Sequence, residues 1–218
     1  MSTMAGPKPS NPDNIEIRSC FATPVVFCQV AGAEALNKAL KTTILERERT
    51  GPSADHSNLG GWQSSDDFAE WGGDAGRAIL HQAVVLADQL TADNSGQPVK
   101  VKWRMNSWAN INRAGHANES HTHPGCYWSG CYYVDDGGTA EDPSLGGEFE
   151  IRDPRGAAPV MYAPKLSFAL PGCQSMGASE LIRPHAGLML FIPSWLAHSV
   201  RPYLGEGTRI SIAFNLSV

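Results

Sequence analysis

The sequence lacks the cysteine patterns that mark metal knuckles and disulfide-rich secreted domains. No C-x-x-C pair occurs among its five cysteines, which are Cys20, Cys28, Cys126, Cys131 and Cys173. The spacing excludes a zinc knuckle, and the odd number argues against a complete disulfide framework. A reducing cytoplasm is therefore the expected location.

Long apolar runs and long basic runs are also missing. No segment approaches the roughly 20 apolar residues that a membrane-spanning helix needs, and the N-terminal residues have no apolar core of the kind found in secretory signals. The net charge is -5, and no run of Lys or Arg is long enough to follow a phosphate backbone. We therefore expect no membrane span and no general nucleic-acid binding.

What the chain does contain is the composition of a globular protein. It has 218 residues, of which 42% are hydrophobic and 18% are charged, and this is enough for one domain with a substantial core. We predict a flexible N-terminal arm over residues 1–14 and a single domain over residues 15–218. A homodimer is the ordinary expectation for such a protein.

The hydrophobic pattern changes its period along the chain. Leu36, Leu40 and Ile44 recur at helical spacing, and a second helical pattern follows, so we predict helices within about residues 31–92. From about residue 97 to 218 the period is two, which indicates strands. The predicted extended segments are 15–30, 99–105, 108–111, 127–135, 147–152, 188–192 and 209–218, with one more strand and a loop within 162–177. The order indicates an α+β, mainly β protein with a sandwich or barrel.

Three histidines have the spacing of a metal site. His121 and His123 are two residues apart, so an extended backbone places both imidazoles on one face, and His198 follows the apolar segment 188–192. Imidazole is a good ligand for iron, zinc, copper and nickel, and three protein ligands leave metal positions open for oxygen and a chelating cosubstrate. The pattern therefore predicts a metal centre at His121, His123 and His198.

The usual non-haem iron site has two histidines and one carboxylate, and His123 stands where the carboxylate is expected. We consider three interpretations of this departure. His123 replaces the carboxylate, or Glu119, which has the same parity, supplies it, or one of the two neighbouring histidines is not a ligand. We favour the first and keep Glu119 as the alternative ligand.

A second set of candidate residues lies in the last strand and its neighbours. Arg209 and Ser211 open the apolar C-terminal strand, and a buried Arg can hold a carboxylate through a bidentate pair that a Ser hydroxyl completes. Asn110 precedes the histidines on a predicted strand, and one of Tyr132 and Tyr133 must point inward. We therefore predict that Asn110 and Tyr133 also contact a cosubstrate.

Several phrases carry a resemblance to a known family. They are Gly60-Gly-Trp62-Gln-Ser64, Trp108-Ala-Asn110, His121-Thr-His123-Pro124, Ser129-Gly-Cys-Tyr132-Tyr133, Phe191-Ile-Pro-Ser-Trp195-Leu-Ala-His198 and Arg209-Ile-Ser-Ile-Ala-Phe-Asn215. In these phrases the chain resembles the 2-oxoglutarate- and Fe(II)-dependent oxygenases, and more narrowly a family of oxygenases of unassigned function. The resemblance implies a double-stranded β-helix (jelly-roll, cupin-like) with the N-terminal helices packed outside.

The resemblance also implies cofactors and an activity. These are Fe(II), bound by His121, His123 and His198, and 2-oxoglutarate, whose far carboxylate is held by Arg209 and Ser211. The implied reaction is hydroxylation of an unidentified small-molecule or peptide substrate. Two alternatives stay open: a three-histidine, cupin-like dioxygenase or isomerase that does not use 2-oxoglutarate, and a non-catalytic metal-binding jelly-roll protein.

Other residues are expected to have supporting roles. Trp62 and Trp195 are predicted to pack in the core, although the Gly-rich loop around Trp62 could also close over the site as a lid. Asn215 is expected to be structural. The substrate could be a small acid, a peptide or a cofactor-like molecule, because four arginines lie near the β part: Arg104, Arg113, Arg152 and Arg155.

Overall fold

The computed structural model describes residues 21–54, 56–156, 163, 165–166 and 179–218. The predicted arm (1–14) and nearly all of the segment 162–177 lie outside these residues. The helices are Ala33–Thr50 (α1), Phe68–Trp71 (α2) and Gly73–Leu90 (α3), and a 3-10 turn spans Pro143–Leu145. The strands are Val26–Gln29 (β1), Asn58–Leu59 (β2), Trp62–Gln63 (β3), Arg104–Asn112 (β4), Ala117–His121 (β5), Trp128–Asp135 (β6), Phe149–Arg152 (β7), Ser179–Ile182 (β8), Leu188–Pro193 (β9), His198–Val200 (β10) and Arg209–Ser217 (β11).

The strands form two antiparallel sheets. The larger sheet has the order β1-β9-β6-β11-β4-β3, and the smaller has the order β2-β5-β10-β7-β8. Neighbouring strands in each sheet are mostly distant in sequence, as β11 is from β4, so the sheets are built by long connections rather than by simple hairpins. This arrangement is that of a jelly-roll, and it confirms the predicted fold class.

The helices cover the outer face of the larger sheet. Leu40 and Ile44 of α1 and Ile79 and Ala83 of α3 recur at intervals of four, and all are fully buried, so each helix presents one apolar stripe. These stripes pack on the sheet residues of one parity in a single hydrophobic cluster, which includes Ala109, Ile111, Tyr132, Ile210, Ile212 and Leu216. Residues of the other parity face the space between the two sheets.

Two boundaries differ from the sequence prediction. Strands β2 and β3 lie between α1 and α2, where no strand was predicted, and pair with strands of the β part, whereas β1 lies within the predicted extended segment 15–30. The segment 99–103 is not a strand, although burial alternates along it as its sequence pattern predicts. The regular strand begins at Arg104 and continues to Asn112, since only there does β11 supply a partner for every residue.

The two predicted packing tryptophans differ in their surroundings. Trp62 is 8% exposed, belongs to the main hydrophobic cluster and donates from Nε1 to the carbonyl oxygen of Gly51 at 3.3 Å. It is therefore a packing residue of strand β3 and not the tip of a lid. Trp195 is 57% exposed, so the prediction that it packs in the core is wrong; the buried side chain of its segment is Leu196.

The segment that carries Trp62 joins the two sheets. Strand β2 pairs with β5 in the smaller sheet, and β3 pairs with β4 in the larger one. Between them Gly60 and Gly61 have φ angles of 69° and 77°, a backbone region that favours glycine. The turn closes one side of the space between the sheets.

Candidate metal centre

The structure brings the three predicted histidines together between the sheets. His121 ends β5 and His198 begins β10, and these two residues are directly opposed in the antiparallel pairing of the strands. His123 lies in the turn that follows, where its backbone N–H donates to the carbonyl oxygen of Ser194 at 2.9 Å. Ring nitrogens of all three histidines lie within 4.8 Å of one another, a spacing that fits three ligands of one metal ion.

Two of the rings are held by backbone carbonyls. His121 Nδ1 lies 2.7 Å from the carbonyl oxygen of Glu119, and His198 Nδ1 lies 2.8 Å from that of Leu196. A carbonyl oxygen only accepts, so in both rings the hydrogen is on Nδ1 and the lone pair is on Nε2. Each ring therefore offers Nε2 to a metal, with its orientation fixed by the hydrogen bond on the other nitrogen.

His123 is held by a side chain instead. The Asn215 amide nitrogen lies 3.2 Å from His123 Nδ1, and Asn215 Oδ1 accepts a hydrogen bond from Ser129 Oγ at 2.7 Å. Asn215 was expected to be structural, and neither it nor Ser129 was predicted to belong to the site. Their shared parity with Ser211 and Tyr133 on β11 and β6 is the sequence signal that would have placed them there.

Burial keeps His123 and His198 neutral. The pKa of His198 is lowered to about 3, mainly by loss of solvation and also by the nearby His121 and His123, although the hydrogen bond to Leu196 acts in the opposite direction. The pKa of His123 is lowered to about 4 by the same loss of solvation and by the proximity of His121. A neutral imidazole is the form that binds metal ions.

The alternative ligand Glu119 does not join this cluster. Its side chain is exposed, and only its backbone carbonyl meets His121. Within the described part of the chain, His121, His123 and His198 are the only group of three or more His, Cys, Asp or Glu side chains close enough to hold a metal. The placement therefore favours three neutral ligands over a carboxylate from Glu119.

Arg209 is buried beside the histidines without a counter-ion. Its side chain is 1% exposed, Nη1 donates to Asn112 Oδ1 at 3.3 Å, and Nε has no hydrogen-bond partner. Among the described residues no carboxylate pairs with it. The guanidinium carbon lies 5.1 Å from the centre of the Tyr133 ring. A buried charge of this kind is costly unless it is paired, so the site fits an anionic ligand.

Tyr133 and Ser211 line the same cavity as Arg209. The Tyr133 hydroxyl is fully buried and also has no partner, and burial raises its pKa well above the ordinary value. Ser211 is opposed to Tyr133 on one neighbouring strand and to Asn110 on the other. Tyr133, Ser211 and Asn110 can each donate a hydrogen bond to a carboxylate that binds next to Arg209. Tyr132, of the other parity, points to α1 and donates to Asn37 Oδ1 at 2.6 Å.

The cavity is shared by all of these side chains and by others that the sequence did not predict. It is lined by His121, His123, His198, Arg209, Ser211, Tyr133 and Asn110, and also by Ser57, Gln63, Trp108 and Asn118. None of the four arginines proposed for an acidic substrate lines it. Arg113 pairs with Glu48, Arg155 pairs with Asp153, and Arg104 donates to the carbonyl oxygen of Val218.

No curated protein sequence matches the chain. Among solved structures it is similar to a Pseudomonas putida prolyl-4-hydroxylase (17% identity, 89% of this chain and 92% of that chain, TM-score 0.60). It is also similar to a Trichoplax adhaerens prolyl hydroxylase (12%, 88% and 83%, TM-score 0.62) and to HygX from Streptomyces hygroscopicus with nickel and 2-oxoglutarate bound (13%, 90% and 83%, TM-score 0.59). At these identities the likeness shows the fold.

The sequence itself matches a family. The model described as "Putative 2OG-Fe(II) oxygenase" covers residues 106–215, which is half of the chain and includes the three histidines, Arg209 and Ser211. In the described part of the chain, no helix has the length and apolar character to cross a membrane. Because the family model matches half of its length, the chain belongs to the 2OG-Fe(II) oxygenases, enzymes that use Fe(II) and 2-oxoglutarate.

Proposed function

We propose that the protein hydroxylates its substrate, with Fe(II) held by His121, His123 and His198 and 2-oxoglutarate held by Arg209. The observation that carries the proposal is the buried Arg209 guanidinium, which has no acidic partner among the described residues and shares a cavity with the three histidines. The far carboxylate of 2-oxoglutarate would supply the missing counter-charge.

The other cavity residues have defined tasks in this proposal. Ser211 and the Tyr133 hydroxyl donate hydrogen bonds to the carboxylate that pairs with Arg209, and Asn110 contacts the cosubstrate from the adjoining strand. When bound, Fe(II) activates oxygen and couples the decarboxylation of 2-oxoglutarate to oxidation of the substrate. The protein positions both reactants and limits access of water, because both sheets enclose the site.

The three neutral ligands favour one alternative, a dioxygenase that binds its substrate's own carboxylate at Arg209 and does not use 2-oxoglutarate. A non-catalytic zinc site is less compatible with the geometry. Structural zinc is usually held by four ligands, and the described residues bring no fourth His, Cys, Asp or Glu side chain to the cluster.

The decisive experiment is anaerobic reconstitution with Fe(II) followed by addition of 2-oxoglutarate. We expect the weak visible charge-transfer band of the metal-bound 2-oxo acid. His198→Ala abolishes the band, and Arg209→Ala shifts its formation to higher 2-oxoglutarate concentration. Arg77→Ala, which removes an exposed guanidinium of α3, is the matched control and leaves the band unchanged. Bound iron without a band would exclude the use of 2-oxoglutarate and support the alternative.

The same band tests the third ligand. His123→Asp creates the usual set of two histidines and one carboxylate, so we expect it to retain the band, whereas His123→Ala weakens or loses it. Glu119→Gln leaves the band as in the unchanged protein if His123 is the ligand. Loss of the band in Glu119→Gln, with His123→Ala unaffected, would assign the ligand to Glu119.

The substrate is proposed only as a small molecule or a peptide. Two of the similar structures are prolyl hydroxylases, one of them bound to a peptide fragment, and HygX has been solved with hygromycin B bound. A cytoplasmic location is supported by the free thiols of Cys28, Cys126 and Cys131. The homodimer and the absence of nucleic-acid binding stay predictions.

A further inference from the structure

The cavity has further polar side chains on the segment 57–63 and on β5, and we call them the second wall. Gln63 reaches it from β3 of the larger sheet, Asn118 reaches it from β5 of the smaller sheet, and Ser57 lies just before β2. The wall is thus formed where the segment 57–63 bridges the two sheets. Trp108, whose ring centre lies 6.0 Å from that of His123, adds an apolar surface between this wall and the histidines.

Gln63 has a side chain that the fold itself does not use. It is 5% exposed, and its backbone is fully engaged: the N–H donates to Ser53 Oγ at 3.1 Å and the carbonyl accepts from Ala54 at 2.8 Å. Its side-chain amide has no hydrogen-bond partner among the described residues. Because this amide lines the cavity, its donor and its acceptor are available to a ligand there.

Asn118 is turned into the cavity by an irregularity in the smaller sheet. The register between β10 and β5 shifts between His198 and Val200, so that Asn118 is opposed to Val200 while His121 is opposed to His198. In a regular strand, Asn118 and His121 would face opposite sides. Both line the cavity because of the shift, and the Asn118 amide also has no partner among the described residues.

The charge of the cavity limits what can bind there. Among the described residues that line it, Arg209 is the only one of the types Asp, Glu, Lys or Arg. Once a carboxylate pairs with Arg209, the second wall offers a further group only neutral amides and a hydroxyl, and the nearest charge would be that of the metal, which three neutral ligands do not offset. Transfer of an unpaired charge from water into such a site is unfavourable, whereas a neutral group with a donor and an acceptor can pair with both ends of an amide side chain.

We propose that Ser57, Gln63 and Asn118 form the substrate subsite, and that this subsite takes an uncharged amide group, such as a carboxamide or a peptide bond. The inference rests on the proposed function, because 2-oxoglutarate must occupy Arg209 for the remaining wall to be free of charge. An ammonium group would meet no anionic partner on this wall and would be repelled by the metal, so the subsite excludes it.

The test uses two probes of nearly equal size and different charge. They are N-acetyl-alaninamide (neutral) and N-(1-aminopropan-2-yl)acetamide (cationic), in which an aminomethyl group replaces the carboxamide. The full chain is loaded with paramagnetic Co(II) and saturating 2-oxoglutarate, so that Arg209 is occupied, and the relaxation of the probe protons reports binding near the metal. We expect the neutral probe to bind about tenfold more tightly than the cationic probe, a modest difference in binding free energy.

Variants separate the subsite from general effects. Gln63→Glu and Asn118→Asp keep the shape and add a negative charge, so each shifts the preference about tenfold toward the cationic probe. Asn94→Asp, at an exposed loop position, is the matched control and leaves the ranking unchanged. Circular dichroism verifies folding, and Asn118 is only partly buried, so its variant remains usable if Gln63→Glu does not fold.

The outcomes are distinct. Binding of the cationic probe as tightly as the neutral one, no relaxation of the neutral probe, or an unchanged ranking in both folded variants would overturn the subsite. If 2-oxoglutarate gives no charge-transfer band with Fe(II) and yet the neutral probe is relaxed by Co(II), the subsite stands and the proposed function fails.

Discussion

His123 depends on the orientation of one amide group. In the structure the Asn215 amide nitrogen faces His123 Nδ1 and the amide oxygen accepts from Ser129 Oγ. Donation to Nδ1 places the ring hydrogen on Nε2, where no lone pair is then left for a metal. Rotation of the amide by half a turn makes its oxygen accept from Nδ1–H and frees Nε2, and the Ser129 hydroxyl fits both orientations because it donates and accepts. Asn215 is thus a positioning residue for the third ligand.

Substitution of Asn215 tests this role. Asn215→Asp supplies only acceptor atoms and favours the Nδ1–H form of His123, so Co(II) affinity is retained. Asn215→Leu removes the partner, and we expect a loss of about 10- to 100-fold in affinity, as is typical for the residues that support metal ligands. The affinity is measured by titration with Co(II). Equal losses in the two variants would show that Asn215 acts only through packing.

The buried histidines also make the metal-free protein sensitive to acid. A histidine whose pKa is lowered on folding binds fewer protons in the folded state than in the unfolded state below pH 6.5. Its contribution to the free energy of unfolding is therefore complete above pH 6.5. The contribution is lost as the pH falls toward the pKa in the folded state, which is about 4 for His123 and about 3 for His198. We expect the free energy of unfolding of the chelated protein to fall through this range.

The comparison with His198→Asn isolates this contribution. Asparagine does not titrate, so the stability difference between the unchanged protein and His198→Asn shrinks as the pH is lowered from 7 to 4. The measurement is urea unfolding at each pH in the presence of a chelator. Parallel pH curves for the two proteins would show that burial of His198 does not contribute to acid sensitivity.

At the scale of elements, the connection between β2 and β3 determines whether the site has its second wall. Gly61 lies against the larger sheet, and a Cβ atom there would approach the carbonyl oxygen of Ile111 to 2.8 Å. A Cβ atom on Gly60 would approach His116 Cδ2 to 2.6 Å. The turn therefore needs glycine both for its positive φ angles and for its close approach to the neighbouring strand and loop.

Gly61→Ala is expected to destabilise the protein by about 2 kcal/mol or more. The strain of a left-handed backbone conformation in a residue with a side chain adds to the steric clash with the Ile111 carbonyl oxygen. Gly115→Ala is the matched control: its φ is also positive, at 84°, but nothing lies within 4 Å of the added Cβ, so we expect about 1 kcal/mol. Denaturant unfolding measures both. Equal costs would mean that the turn is free to move away from Ile111.

At the scale of the whole molecule, the site is assembled from both sheets. His121 and His198 belong to the smaller sheet, whereas Arg209, Ser211 and Tyr133 belong to the larger one. The helices α1 and α3 pack on the far side of the larger sheet and leave the interior of the jelly-roll to the polar residues. A ligand that contacts both sheets should therefore stabilise the whole folded domain.

Loading with Ni(II) and 2-oxoglutarate is expected to raise the melting temperature. A ligand at about 100 times its Kd stabilises the folded state by about 2.7 kcal/mol, which corresponds to roughly 5–10 °C for a domain of this size. Scanning calorimetry of the chelated and loaded protein gives the shift. His198→Ala shows little or none of it, and a full shift in that variant would place the metal elsewhere.

The fold class and the principal residues of the site were accessible from sequence because they depend on local periodicity. A period of two places His121 and His123 together, and Arg209 and Ser211 together, whichever strands become their neighbours. Helical spacing likewise identified the stripes of Leu40 and Ile44 before any partner was known. These patterns predicted helices followed by a β-sandwich or barrel with a histidine metal site, whereas the jelly-roll and the place of Arg209 beside the metal were implied by the resemblance to the oxygenase family.

The tertiary structure alone decided what surrounds that cluster. The pairing of Asn215 with His123, the register shift that turns Asn118 inward and the bridge that delivers Gln63 all depend on contacts between strands distant in sequence. The same contacts leave the Glu119 side chain outside and expose Trp195. Local periodicity contains no information on which strand lies opposite another, or in which register, because burial of the whole core selects both.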